Sequence, residues 1–201
     1  MPKRRTKQKA AVAAATRSGA LVLVVGPSGA GKDTLIAAAR RHFAGNRDIV
    51  FPSRVITRAE SLGEDHVPVN RRAFASLADA GGFLLWWEAN GHAYGIPAAV
   101  AEDLERGRMV VVNASRSVVA AAAERWPGLL VIEIAAGVDI LRQRLMARGR
   151  ESEAELEGRL VRAAGVPCPE DVARERVEND GDLASAVRRF IGLLASRCPA
   201  G

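Results

Sequence analysis

The sequence predicts an α/β fold in which a parallel sheet of five strands is flanked by helices. Short apolar runs rich in β-branched residues alternate along the chain with segments of helical pattern, as parallel sheets require. The runs over 109–112 and 129–134 are almost continuously apolar, which is typical of strands buried on both faces. A glycine-rich turn also joins the first run, 20–25, to a helix, and that order is typical of nucleotide-binding sheets.

The first elements follow from apolar patterning and from one proline. Residues 20–25 predict a buried strand, and residues 35–43 predict the helix after the glycine-rich turn. Residues 49–57 predict a second strand, which Pro52 interrupts because proline donates no hydrogen bond to a neighbouring strand.

A capped helix and a hairpin are predicted next. Asn70 is a suitable N-cap for a helix over 71–80. Residues 83–89 and 92–96 predict an antiparallel pair, because Asn90-Gly91 between them is the strongest short signal for a two-residue turn.

The second half of the chain again alternates between the two patterns. Pro97 suits the first position of a helix and predicts one over 97–106. The predicted strands that follow are 109–112, 129–134 and 177–179, and the predicted helices are 115–124, 140–147, 153–164, 170–175 and 183–195.

Composition limits the class of protein. A chain of 201 residues with 48% hydrophobic and 26% charged residues is typical of one globular domain. No apolar run approaches the roughly 20 residues of a membrane span, so no membrane partner is expected. Cys168 and Cys198 lack metal-ligand spacing and predict free thiols in a reducing, cytoplasmic compartment.

The net charge of +6 is concentrated at one end of the chain. Six of the 29 basic residues lie within residues 1–17, and the 23 that remain match the 23 acidic residues. Residues 1–18 therefore predict a basic, disordered tail, and residues 19–201 predict a single domain of balanced charge. Because the body is formally neutral, specific nucleic-acid binding is not expected.

The turn after the first strand has the spacing of a phosphate-binding loop. Two glycines five residues apart precede a lysine, so the backbone can turn tightly and aim its N–H groups at an anion at the start of a helix. The ammonium group adds a point charge for the outer phosphates of a nucleotide. The residues predicted to bind the nucleotide are Gly26, Pro27, Ser28, Gly29, Ala30, Gly31, Lys32, Asp33 and Thr34.

One position departs from that pattern. Asp33 stands where the pattern has serine or threonine, whose hydroxyl would coordinate magnesium. A carboxylate is itself a hard oxygen ligand, so Asp33 is the predicted metal residue, either directly or through water, with the Thr34 hydroxyl as an alternative.

Arginines crowd the segment after residue 140. Arg144 and Arg148 are four residues apart on a predicted helix, where like charges repel unless an anion lies between them. Arg148 is therefore predicted to bind phosphate, for which the planar guanidinium is well suited. Arg159 is a second candidate, although Glu155 on the preceding turn is an alternative partner for it.

Several stretches together resemble the guanylate kinase-like branch of the nucleoside monophosphate kinases. The resemblance implies a P-loop kinase domain with an acceptor-binding insertion over about 54–96 and a lid over about 148–160. It rests on residues 26–33, 54–58, 87–95, 112–116, 141–150 and 178–181.

Within that branch, Gly-Lys-Asp in the loop and Val-Asn-Ala-Ser-Arg after a strand resemble the members that convert ribose 1,5-bisphosphate to phosphoribosyl diphosphate in phosphonate breakdown. This implies ATP and Mg²⁺ as cofactors and a monomer or homodimer. Lys32, Arg148 and Arg159 would act on the transferring phosphoryl group. The acceptor would be bound by Arg54, Arg58, Tyr94, Asn113 and Arg116.

Two departures from guanylate kinases bear on the acceptor. Leu85 stands where that family has the carboxylate that reads guanine, and leucine accepts no hydrogen bond. Arg54 stands near the family's serine and adds a charge that suits a second phosphate. Both favour a sugar bisphosphate, while Glu88 in a shifted register leaves GMP, and hence guanylate kinase activity, as the alternative.

Overall fold

The structure, a computed structural model, describes residues 19–59, 65–147, 169–170 and 172–198. The strands are β1 Ala20–Val25, β2 Ile49–Val50, β3 Arg54–Ile56, β4 His66–Pro68, β5 Phe83–Ala89, β6 His92–Pro97, β7 Met109–Asn113, β8 Leu130–Ala135 and β9 Ala173–Glu178. The helices are α1 Lys32–His42, α2 Arg71–Asp79, α3 Val100–Glu105, α4 Val119–Arg125, α5 Val138–Ala147 and α6 Leu183–Arg197. The predicted tail over 1–18, the lid over 148–160 and the helix over 153–164 lie outside the described residues.

The main sheet has five strands in the order β2-β7-β1-β8-β9, and every pairing in it is parallel. This confirms the predicted sheet. β1 lies in the centre, so the loop that follows it opens at the carboxyl edge between β7 and β8. Ligands of such sheets bind at that edge, where neighbouring connections diverge.

Two apolar cores cover the two faces of the main sheet. On one face, Val22 and Val24 of β1 pack with Leu35 of α1 and with Phe190 and Leu194 of α6, all of them buried. The opposite face packs against α3, α4 and a second, smaller sheet. Helices can cover both faces because β1 is apolar at every position and its neighbours β7 and β8 each carry a single polar residue.

The second sheet has the order β4-β3-β6-β5, and its strands lie in the segment over about 54–96 that was predicted to bind the acceptor, a role that stays a prediction. β5 and β6 form the expected hairpin, with positive φ at both Asn90 and Gly91, as a tight two-residue turn requires. Asn70 caps α2 by accepting a hydrogen bond from the Ala73 N–H at 2.8 Å, also as expected.

Alternation along β5 gives this sheet two different faces. Leu85 and Trp87 point inward and are buried in the core shared with β1, while Trp86 and Glu88 are exposed. The inner face of the sheet therefore meets the carboxyl edge of the main sheet.

Three sequence expectations about these elements are wrong. The strand predicted over 49–57 is interrupted around Pro52 as expected, but its two parts lie in different sheets, with Ile49–Val50 beside β7 and Arg54–Ile56 beside β6. Pro97 ends β6 opposite Phe83, so α3 begins only at Val100. In each case pairing with a distant strand decides the outcome.

The third error concerns the segment predicted as a helix over 170–175. It enters β9, which pairs with β8 along six consecutive residues from Leu130 and Ala173 onward. Edge pairing thus outweighs local helix propensity. Among the described residues, no helix has the length and apolar character needed to cross a bilayer.

Candidate active site

The loop between β1 and α1 depends on glycine at both of its ends. Gly26 has φ of 142°, and a Cβ there would lie 2.2 Å from the Ile134 carbonyl oxygen. Gly31 has φ of 93°, and its Cβ would lie 2.4 Å from Nδ2 of Asn179. A side chain at either position would therefore be strained by the backbone conformation and crowded by its neighbour.

The loop presents groups that suit an anion. Gly31 is the N-cap of α1 and supplies no side-chain acceptor, so the first N–H groups of an 11-residue helix face outward. The Lys32 ammonium donates to the carbonyl oxygens of Gly26 and Pro27, both at 2.9 Å, and so lies across the loop. A phosphate chain fits this arrangement because cation, helix dipole and amides all favour negative charge.

A buried amide supports the loop from the far edge of the sheet. Asn179, directly after β9, is 2% exposed and donates from Nδ2 to the Ala30 carbonyl oxygen at 2.7 Å. Arg144 of α5 donates to the Asn179 carbonyl at 2.9 Å and to that of Gly29 at 3.4 Å. The loop is therefore fixed by contacts with β9 and α5 as well as by its own sequence.

A cleft of about 390 Å³ opens beside the loop, between α1 and the second sheet. We call it the α1 cleft. It is lined by Asp33, Ile36, Ala37, Arg40, Pro52, Arg54, Asp65, Val111 and Asn113.

Three polar side chains meet inside the α1 cleft. Oδ1 of Asp33 accepts a hydrogen bond from Nδ2 of Asn113 at 2.6 Å and another from the Arg54 guanidinium at 3.3 Å. Arg54 and Asn113 are each 8% exposed. They come from different sheets, because Asn113 ends β7 and Arg54 begins β3.

Aromatic side chains continue this cluster on the inner face of the second sheet. The guanidinium carbon of Arg54 lies 5.7 Å from the centroid of the Tyr94 ring, within cation–π range. Tyr94 stacks in turn on Trp87 at 5.5 Å, with 5° between the ring planes.

An ion pair forms the outer wall of the cleft. Arg40 of α1 donates to the Asp65 carboxylate and, at 2.9 Å, to the Phe51 carbonyl, and the Ser53 hydroxyl donates to Asp65 at 2.9 Å. The Arg40 hydrogen bond, helped by that of Ser53, lowers the pKa of Asp65 from its ordinary value of 3.8. The network ties the chain before β3 to α1.

The structure brings some of the predicted site residues together and leaves others apart. Lys32, Asp33, Arg54 and Asn113 share one region, and Tyr94 joins it through Arg54. The other described candidates are distributed as follows: Ser28 lies in the loop, Thr34 is exposed on α1, Arg58 follows β3, and Arg116 donates to Glu133 of β8 at 2.8 Å. Arg148 and Arg159 lie outside the described residues, so their role stays a prediction.

Several residues that support the site were not among those predicted from the sequence. Asn179 stands in a stretch that carried the family resemblance, and that stretch was the available signal. His66 is buried in β4 beside Arg54, with Nε2 3.3 Å from the Arg58 carbonyl oxygen. No local pattern signals the Arg40–Asp65 pair, because its members are 25 residues apart.

The chain is similar in sequence to a family of kinases and to several known proteins. The family model described as guanylate kinase matches residues 18–166. The ribose 1,5-bisphosphate phosphokinase PhnN of Acidiphilium cryptum is 48% identical over 182 residues, covering 90% of this chain and 95% of that protein. The ribose 1,5-bisphosphate phosphokinase PhnN of Rhizobium etli is 42% identical, also over 182 residues, covering 90% of this chain and 92% of that protein.

Among solved structures, the guanylate kinase of Anaplasma phagocytophilum superposes with a TM-score of 0.66 at 19% identity. The match covers 92% of this chain and 89% of that one. At this level of identity the likeness concerns the fold, and it agrees with the parallel sheet and loop described above.

Proposed function

The chain belongs to the guanylate kinase family, and from that premise we propose that it transfers the γ-phosphoryl group of ATP to the 1-phosphate of ribose 1,5-bisphosphate, giving 5-phosphoribosyl 1-diphosphate. The relatives at 42% and 48% identity carry the name of this activity along nearly their whole length. Guanylate kinase activity is the alternative, and the two activities differ in whether the acceptor site binds ribose 1,5-bisphosphate or GMP.

The side chains on the inner face of the second sheet favour ribose 1,5-bisphosphate over GMP as the acceptor. Leu85 and Trp87 fill that face on β5, while Glu88 points outward, with its side chain 66% exposed and 3.7 Å from Arg71. None of the described β5 residues therefore offers an inward carboxylate to guanine. A buried Arg54 in the α1 cleft suits a phosphate instead.

We assign the nucleotide to the glycine loop. The backbone N–H groups of residues 26–34 would hold the β- and γ-phosphates, and the Lys32 ammonium would leave two loop carbonyls to reach the outer phosphates. Asn179 and Arg144 keep the loop in the conformation that this binding needs.

Magnesium fits the donor set at the mouth of the loop. The Asp33 side chain is 38% exposed and supplies hard carboxylate oxygens next to the phosphate site. Mg²⁺ is usually held by one or two carboxylates together with substrate phosphates, so Asp33 would hold it directly or through water. When bound, the ion supplies charge neutralisation on the phosphates.

The reaction itself needs little proton chemistry. An oxygen of the acceptor 1-phosphate forms the new bond to the γ-phosphorus, and the bond from that phosphorus to the β-phosphate oxygen breaks as ADP leaves with the electron pair. The attacking oxygen is already ionised at neutral pH, so no general base is required. The protein contributes position and positive charge through Lys32, Arg54 and Arg58, with Arg148 and Arg159 proposed to act from the lid.

An acceptor screen tests the proposal. Purified protein is incubated with ATP and Mg²⁺ and with ribose 1,5-bisphosphate or GMP, and products are resolved by ³¹P NMR. We expect phosphoribosyl diphosphate from the first acceptor and a kcat/KM for GMP lower by a factor of roughly 100 or more, because a site without the matching polar partner rejects a base strongly. Comparable turnover of GMP would overturn the choice of acceptor.

The loop assignment has its own test. Lys32→Ala should abolish transfer while the circular dichroism spectrum and melting temperature stay close to those of the wild type, since Lys32 is only partly buried. Transfer at the wild-type rate by this variant would refute the role of the loop.

A further inference from the structure

The carboxylate of Asp33 links the nucleotide loop to the acceptor side of the α1 cleft. It occupies a position where the loop pattern has a hydroxyl, and its Oδ1 is engaged by Arg54 and Asn113 at 3.3 and 2.6 Å. We propose that Asp33 is a positioning residue for the acceptor, which orients the Arg54 guanidinium and the Asn113 amide. This inference rests on the proposed function and deepens its acceptor site.

Charge and burial explain why the Asp33 carboxylate stabilises Arg54. Its side chain is 10% exposed, and a guanidinium removed from water requires a compensating anion. Asp33 supplies that charge from the first turn of α1. The guanidinium carbon also lies 5.7 Å from the centroid of the Tyr94 ring, and Arg54 is one of the residues that line the cleft.

The same carboxylate decides how the Asn113 amide is oriented. An ionised carboxylate only accepts hydrogen bonds, so the amide must turn its NH₂ group toward Asp33. Its carbonyl oxygen is then the group left to accept a hydrogen bond from the acceptor. Sugar hydroxyls are donors of the required kind, and Asn113 lines the cleft. By orienting Asn113 in this way, Asp33 favours an acceptor that carries a hydroxyl group as well as a phosphate.

A hydroxyl at position 33 would serve a magnesium ion but not these two contacts. Serine carries no charge for Arg54, and its short side chain ends one bond nearer the backbone. The two possible roles of Asp33 therefore predict different behaviour for Asp33→Ser. A purely metal-binding role predicts full activity, whereas the positioning role predicts a selective loss toward the acceptor.

The test is a steady-state comparison of Asp33→Ser and Asp33→Asn with the wild type at saturating Mg²⁺. We expect KM for ribose 1,5-bisphosphate to rise roughly 10- to 100-fold, as for loss of a hydrogen bond to a charged group. The KM for ATP should change by less than about threefold. Glu102→Gln, which removes an exposed carboxylate on α3, is the matched control and should leave both constants unchanged.

A double-mutant cycle supplies the second measurement. If Asp33 acts through Arg54, Asp33→Asn should reduce kcat/KM for the acceptor much less in an Arg54→Ala background than in the wild type. Independent, multiplicative effects would overturn the proposal, and so would an Asp33→Ser enzyme with an unchanged acceptor KM. Should the wild type prefer GMP, the proposed function fails, and the same cycle run with GMP still decides the role of Asp33.

Discussion

Replacing Asn179 with aspartate exchanges the amide NH₂ group, the donor of the contact that supports the phosphate loop, for a carboxylate oxygen. The native Nδ2 donates to the Ala30 carbonyl oxygen at 2.7 Å, and both residues are buried. Asn179→Asp keeps the volume of the side chain but replaces the donor with an acceptor. Asn179→Ala is the matched variant that removes the side chain without adding charge.

The structure sets different magnitudes for the two variants. Leaving a buried carbonyl unsatisfied costs about 1–3 kcal/mol. In Asn179→Ala part of this cost is offset, because the native Oδ1 is itself buried and has no hydrogen-bond partner among the described residues. We expect a net loss of about 1–2 kcal/mol for alanine. A carboxylate at 2% exposure, facing a carbonyl oxygen, adds desolvation and repulsion, so we expect at least about 3 kcal/mol for aspartate.

Thermal and urea denaturation measure both values. In a domain of this size each kcal/mol shifts the melting temperature by about 2–4 °C, so Asn179→Ala should melt about 2–8 °C lower and Asn179→Asp at least about 6 °C lower. The aspartate loss should grow as pH rises from 4 to 8, because burial raises the pKa of the introduced carboxyl and the native state then binds more protons than the unfolded one. KM for ATP should rise in the same order as stability falls.

The result that refutes this reasoning is an aspartate variant as stable as the wild type, or one more stable than the alanine variant. Either outcome would mean that Asn179 does not donate to the loop. An unchanged melting temperature in both variants would mean that the amide contributes nothing to the support of the loop.

Two further predictions concern stability away from the loop. Asp65→Asn should cost no more than about 1 kcal/mol at pH 7, since its pair with Arg40 is largely exposed and screened. Arg40 and Ser53 lower the pKa of Asp65 in the folded state, so this stabilisation is present above pH 3.8 and is lost as the pH falls through the lower folded-state value. Urea denaturation curves of the variant and the wild type should therefore differ at pH 7 and converge only in strong acid. Phe190→Ala should lower the free energy of unfolding by about 3–5 kcal/mol in the same assay, because the ring is fully buried between α6 and the main sheet. A decrease below about 1 kcal/mol would contradict this packing.

The local features of this protein were predictable from its sequence. Strand β1 has the predicted bounds, the Asn90-Gly91 hairpin formed, and Asn70 caps the predicted helix. The phosphate-loop spacing correctly placed a tight turn before a helix. Each of these depends on residues within a few positions of one another, so a short window of sequence contains the physical cause.

Features that depend on distant partners were not predictable in the same way. Nothing local to residues 49–57 shows that the segment leaves one sheet for another, and nothing local to β9 shows that pairing with β8 will outweigh its helical pattern. In both segments, hydrogen bonds to a strand far along the chain determine the conformation.

Sequence patterns were sufficient to predict the parallel sheet and the glycine-rich turn between its first strand and first helix. Which side chains lie together became clear only from the folded chain. Asp33 meets Arg54 and Asn113 from 21 and 80 residues away, and Asn179 reaches the loop from 149 residues away. Local patterns act over a few residues. A buried charge or amide, by contrast, needs a hydrogen-bond partner, and only the packing of distant segments determines which side chain supplies it.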